Sequence, residues 1–307
     1  MNKKEFKTID EQVESLRLKG LIINNEGVTK EILYRENYFF INGYRHPFLT
    51  SNRKFIKGTT FEELYALFLF DRNFRNILFK NLLIIENNIK SIISYQLSKS
   101  YGYKEKDYLK ASNFTQDIKE QRRVEDVLNK MKRQIRVNGN KHTATLHYIT
   151  NYGYIPMWIL VKVLSFGLIN ELYGILKNDD KQKICDFYKV KPDDMEVYLA
   201  ILSNYRNLCA HEDIVYDHRT QREISNTIYH KKLNIELEDG LYKYGKNDIF
   251  ALVIILKIML TDRKFKEFMD EIDNEIEKLI INLKTISYTK IYEILGFPSN
   301  YKDIINM

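Results

Sequence analysis

Prolines number 4 and glycines 12 in a chain of 307 residues. With so few breakers, a fold made of many tight turns is excluded and helices are favoured. The 2 cysteines, Cys185 and Cys209, are too few for a disulfide framework. The expected compartment is therefore a reducing cytoplasm. Long apolar runs are also missing. The best, Ile249–Leu260, is interrupted by Lys257, whereas a membrane span needs about 20 apolar residues. It reads as a core helix, and no membrane partner is expected. The opening MNKKEFKTIDEQ has no apolar stretch of the secretory-signal kind. No G-x-x-x-x-G-K-[ST] or G-x-G-x-x-G loop exists, which disfavours a nucleotide-driven enzyme. His142 and His147 stand five apart without a cysteine or carboxylate cluster, so neither a metal site nor a cofactor is expected.

What is present is apolar and basic. Hydrophobic residues make up 44%, enough for a sizeable core. The net charge of +7 favours a polyanionic partner, either nucleic acid or an anionic surface. The expected fold is mainly α: a helical bundle with a short N-terminal extension and one small hairpin. Thr8 precedes Glu11 by three residues, a capping-box pattern for a helix over 8–19. A second helix is expected near 28–37. The aromatic stretch Tyr38–Leu49 reads as a loop or turn, because Gly43 and Pro47 punctuate it. From Thr60 onward, Phe61, Leu64, Tyr65, Phe68 and Leu69 repeat at helical steps. A further helix over 76–99 is nearly continuous with it. Helices also follow over 115–136, from Pro156 through GLINELYGIL, from an Asp193 cap to about Ala210, and over 247–285, in one piece or two. IELEDGLYKYG suggests a hairpin around Asp239–Gly240. Three units are expected: an N-terminal segment 1–58, a helical body 59–287 and a tail 288–307.

The sharpest local signal is Asn204-Tyr205-Arg206-Asn207-Leu208-Cys209-Ala210-His211. A 2′-hydroxyl can attack its neighbouring phosphodiester without a metal. The reaction needs a group that moves protons near neutral pH, which suits His211. It also needs a fixed cation on the phosphate oxygens, which suits the planar fork of Arg206. Asn207 would orient either partner. An ideal helix turns Arg206 and His211 roughly 140° apart, so they converge only if the helix ends near Ala210 or a second subunit completes the site. Spacing alone carries little: Arg136 and His142 repeat it across RVNGNKH. The plain structural alternative is a helix end capped by a histidine, with an exposed arginine beside it.

Two basic regions are candidates for RNA contact. Lys119–His142 holds eight Lys and Arg, Arg122, Arg123, Lys130, Arg133 and Arg136 among them, against three acids. Its bland alternative is a solvated helix face. The aromatic loop supplies Tyr44 and Arg45, with Arg35 nearby, for stacking and phosphate contact. Its alternative is packing of the N-terminal segment on the body. Asp71 and Arg75 read as a helical ion pair. Glu86, inside LLIIENNI, is expected to meet Arg75, Lys90 or a distant arginine.

An ordered series of segments resembles the Abi-like family of bacterial abortive-infection proteins, the AbiD/AbiF type. The series runs LRLKGLIIN, FFINGYRHPF, FIKGTTFEELYALFLFDRNFRNIL, IIENNIKS, IPMWILVKVLSFGLINELY and YRNLCAHEDIVYD. Such proteins look like members of the HEPN superfamily of helical bundles, whose hallmark is an arginine, a polar residue and a downstream histidine. Arg206, Asn207 and His211 match it. The resemblance implies a HEPN-like bundle, a metal-independent endoribonuclease acting as a toxin-like effector in phage defence, and a homodimer with a composite site. It also implies association with a small non-coding RNA. A non-catalytic RNA-binding protein and a phage-sensing interaction module remain as alternatives.

Overall fold

The computed structural model describes residues 5–307. Met1–Lys4, which open the expected N-terminal segment, lie outside the described residues. The chain is mainly α, as expected. α1 (Ile9–Leu18) starts on the Thr8–Glu11 capping box, with both reciprocal bonds present. α2 (Glu26–Glu36) follows, capped by Asn25. The stretch from Tyr38 is not a loop: it forms α3 (Tyr38–Gly43), then a short 3-10 turn at His46–Phe48. Asn37 separates α2 from α3 with φ 66°, and its side chain accepts the Phe39 N–H at 2.8 Å.

α4 (Phe61–Tyr101) is one uninterrupted helix of 41 residues, where two nearly continuous ones were expected. A Thr60–Glu63 capping box opens it, and Gly102 at φ 93° ends it. Glu63 also accepts the N–H groups of Lys284 and Thr285, each at 2.7 Å, which ties the start of α4 to the far end of the chain. α5 (Glu105–Tyr108) is a single turn. α6 (Gln121–Asn138) begins later than 115 because a 3-10 turn at Ile118–Glu120 precedes it. α7 (Thr143–Tyr152) was not foreseen; Gly153 ends it in the left-handed region.

The expected single helix from Pro156 is two, α8 (Met157–Val163) and α9 (Phe166–Gly174). Ser165 makes the break, since its hydroxyl accepts the Leu168 N–H and caps α9. α10 (Asn178–Asp186) was likewise unforeseen. α11 (Pro192–Ala210) starts with proline in its first turn, so Asp193 lies inside the helix and is not its cap. After α12 (Ile228–Lys232), β1 (Leu237–Glu238) and β2 (Leu241–Tyr242) form the expected hairpin. Asp239 and Gly240, both at positive φ, make the turn. The terminal apolar stretch divides into α13 (Ile249–Met259) and α14 (Asp262–Asn282), with Thr261 capping the second. α15 (Tyr288–Leu295) closes the chain, followed by a 3-10 turn.

α4 is the spine, and α8, α10, α11 and α14 pack around it. Its inward face, Leu64, Phe74, Leu78, Leu82, Ile85, Ile89 and Ile93, is fully buried. α13 is buried on nearly every side, Lys257 included, as its largely apolar composition requires. The N-terminal segment shares this core through Val13, Leu16, Leu33, Ile41 and Phe48. Backbone bonds between Ile22 and the Thr59–Phe61 strip clamp it against the start of α4. The tail buries Ile291, Leu295, Tyr301 and Ile304.

Candidate functional site

α11 ends where the local sequence allows it to. His211 is the C-cap, and its N–H returns to the Asn207 carbonyl at 3.0 Å. Glu212 then takes φ 58°, and the Asp213 N–H bonds to the Leu208 carbonyl at 3.1 Å. This is a left-handed helix stop with a glutamate where glycine is usual. A non-glycine residue there costs roughly 1–2 kcal/mol, so the following backbone must be held from outside the turn.

The hold comes from α4. Asp71 is fully buried and accepts the N–H of Tyr216 at 2.8 Å and that of Val215 at 3.3 Å. Arg75 pairs with Asp71 and donates to the Asp213 carbonyl at 3.3 Å. Tyr44 donates its hydroxyl to Asp71 at 2.7 Å and accepts from Arg75 at 3.0 Å. The helical ion pair expected of Asp71 and Arg75 exists, and it also fixes the loop behind His211. Tyr44 is 2% exposed and stacks on Tyr216 at 5.6 Å, so it has no free face for a base. It is removed from the RNA-contact candidates; the aromatic pattern marked it, but burial gives it a structural role.

His211 itself is exposed and lines a cleft of about 880 Å³. Arg35, Arg45, His46, Phe39 and Phe40 line the same cleft. Phe39 and Phe40 are 73% and 58% exposed, unusual for large apolar rings. Glu212 and Asp213 also reach the cleft. Arg72 belongs to its wall, held two-pronged by Glu36 at 2.5 and 3.0 Å and lying over the Phe68 ring. His46 carries no signal in the sequence beyond its place in Arg45-His46-Pro47; only the folding of the N-terminal segment over α4 puts it beside the end of α11.

Arg206 and Asn207 do not line this cleft. Arg206 points to α4, where its Nε donates to Glu86 at 3.1 Å and its guanidinium lies 5.7 Å from the Phe79 ring centre. Glu86 also holds Lys90 at 2.7 Å, so both expected kinds of partner are present, a near lysine and a distant arginine. Among the described residues no protein acceptor bonds the two terminal nitrogens of Arg206. Asn207 is exposed. Cys209, two residues before the histidine, is buried, and burial pushes its thiol up to about 12, which excludes it as a thiolate nucleophile.

The remaining RNA-contact candidates lie on α6, and acids neutralise two of them. Arg123 pairs with Glu120 and reaches Glu196, while Lys130 sits between Asp126 and Glu171. Arg122 and Arg133 are exposed. Arg136 lines a second cleft, away from His211. Among the described residues no three His, Cys, Asp or Glu side chains are grouped to hold a metal ion, and no helix is long and apolar enough to cross a membrane.

Every residue lining the His211 cleft falls within residues 31–217, the span matched by the model of the family described as Abi-like protein. The chain belongs to the Abi-like protein family. It matches no curated protein and no solved structure. In this Abi-like protein α12, the hairpin and α13–α15 lie beyond the family match.

Proposed function

We propose that this protein is a metal-independent endoribonuclease of bacterial anti-phage abortive infection, built on a HEPN-like bundle. The observation that carries the reading is the exposed His211 at a rigidly held helix end, lining a cleft with a second imidazole, four arginines and two open aromatic rings. Phe39 and Phe40 would stack unpaired bases, and Arg35 and Arg45 would take phosphates. One imidazole removes the proton of the 2′-hydroxyl as its oxygen attacks phosphorus. A protonated imidazole gives its proton to the leaving 5′-oxygen as the P–O bond breaks. The products are a 2′,3′-cyclic phosphate and a 5′-hydroxyl.

Arg206 serves as the phosphate-stabilising cation in this reading. Glu86 fixes its Nε and leaves the terminal nitrogens for non-bridging oxygens. Because Arg206 and Asn207 stand outside the cleft of their own chain, a homodimer that places one α11 end against the other would complete the site. A bound small RNA would hold the effector inactive until infection.

A non-catalytic RNA-binding defence protein is the second reading. Glu212 and Asp213 favour it, since two carboxylates beside His211 oppose a phosphate. Incubating stripped protein with labelled RNA in EDTA separates the two. Products ending in 2′,3′-cyclic phosphate, lost in His211→Ala at unchanged melting temperature, are expected. Equal cleavage by His211→Ala would remove the catalytic assignment, and tight binding without cleavage would favour the second reading.

A further inference from the structure

The second cleft, about 1020 Å³, opens on a different part of the surface, between the α5 turn, α6 and the end of α7. Four cations line it: Lys104, Lys106, Lys132 and Arg136. Lys132 and Arg136 are one turn apart on α6 and both exposed. Among the described residues none of the four makes a salt bridge. Arg123 and Lys130, on the same helix, are both paired with acids. The one carboxylate in the lining, Glu105, is engaged by the Ile155 N–H. Four cations against one carboxylate leave an excess of positive charge around one concavity, so the cleft attracts an anion with several charges.

Its other wall is aromatic. Gly153 ends α7 at φ 74° with nothing within 4 Å of where a Cβ would stand, and Tyr152 and Tyr154 flank it. Tyr152 is 57% exposed. It meets Tyr148, Tyr154 and His147 at interplanar angles of 37°, 52° and 67°, so these neighbours tilt against it and do not stack face to face. Lys104 lies 5.0 Å over the Tyr154 ring. Tyr103 and Trp158 extend the cluster, 43% and 44% exposed.

We infer that this cleft binds a single-stranded polynucleotide, with unpaired bases stacked on Tyr152 and Tyr154 and phosphates taken by Lys104, Lys106, Lys132 and Arg136. A multivalent anion explains the cations, but only one carrying flat apolar faces explains the exposed Tyr152 ring beside them. A duplex buries its base faces and would leave the rings unused. The choice of RNA over DNA rests on the function proposed above; the cleft itself does not.

The test is fluorescence anisotropy of the full-length protein with a labelled 2′-O-methyl oligouridylate of about 12 nucleotides. This probe cannot undergo 2′-hydroxyl attack, so binding is read without cleavage. Tyr152→Ala with Tyr154→Ala is expected to weaken binding roughly tenfold or more. Lys132→Gln with Arg136→Gln should reduce the slope of log K against log salt by about 1.4. Lys231→Gln with Lys232→Gln removes two exposed cations elsewhere and should change the affinity little. An oligothymidylate bound equally well would support the cleft as a reader of single strands and leave the sugar unread. The inference is overturned if the tyrosine variants bind like wild type, if a duplex or a multiply phosphorylated peptide competes as strongly, or if no oligonucleotide binds. Cleavage in EDTA, measured beside it, judges His211 separately.

Discussion

Tyr44→Phe takes one hydroxyl out of the network behind His211 and leaves the ring. The ring keeps its stack on Tyr216 and its edge contact with Phe68, so no cavity opens. Lost are the bond donated to Asp71 at 2.7 Å and the one accepted from Arg75 at 3.0 Å. Burial, then the Asp71 charge, push the phenol above its ordinary range, so it is a neutral donor at every working pH. Hydrogen bonds to charged groups contribute about 1.5–3 kcal/mol. Asp71 retains Arg75 and the two N–H groups, and Arg75 retains the Asp213 carbonyl. The net cost is therefore about 2 kcal/mol, near one such bond. Asp71→Asn should cost more, about 3–5 kcal/mol, because Arg75, 4% exposed, loses its counter-ion. In the double variant the two losses should overlap by about 1 kcal/mol, since both substitutions disturb the same Tyr44–Asp71 bond. Urea unfolding reads all three: the midpoint should fall while the slope m holds. A Tyr44→Phe protein within about 0.5 kcal/mol of wild type would refute the idea that this triad holds the helix stop.

Asp248 caps α13 while buried, and burial raises its carboxyl from 3.8 to about 6. Folding therefore favours its protonated form. Its contribution to stability falls as pH rises from about 4 to 6, by about 3 kcal/mol in all, and then stays level. Asp248→Asn keeps a capping side chain and should flatten that fall; an unchanged pH profile of urea midpoints would contradict it. Glu86→Gln leaves Lys90 and Arg206 without their shared carboxylate and should cost about 3 kcal/mol, whereas a neutral result would mean that both cations are already screened by water. His211 is exposed, so His211→Ala should shift stability by no more than about 0.5 kcal/mol, and a larger loss in a melting scan would give it a structural role.

The helical class was legible because it rests on local chemistry. Thr8 and Glu11 form the cap that their spacing predicts, and Asp239–Gly240 makes the turn its φ angles demand. The break at Ser165 was hidden because apolar residues continue on both sides of it and Gly167 does not end the pattern, and one serine cap decided otherwise. The aromatic stretch from Tyr38 misled for the opposite reason: Gly43 and Pro47 look like loop punctuation, yet Asn37 caps a short helix there.

The sequence by itself determined the helical class, the long apolar repeat that becomes α4, the end of α11 near Ala210 and the family. Each depends on residues within a few positions of one another, or on a long apolar repeat. Tertiary structure alone decided which polar groups meet. It paired Arg206 with Glu86 across 120 residues, brought His46 to the cleft of His211, buried Tyr44 against Asp71, and gathered Lys104 and Tyr154 beside Arg136. Those meetings depend on how helices cross, and a side chain far along the chain exerts no local force that its sequence neighbours could register.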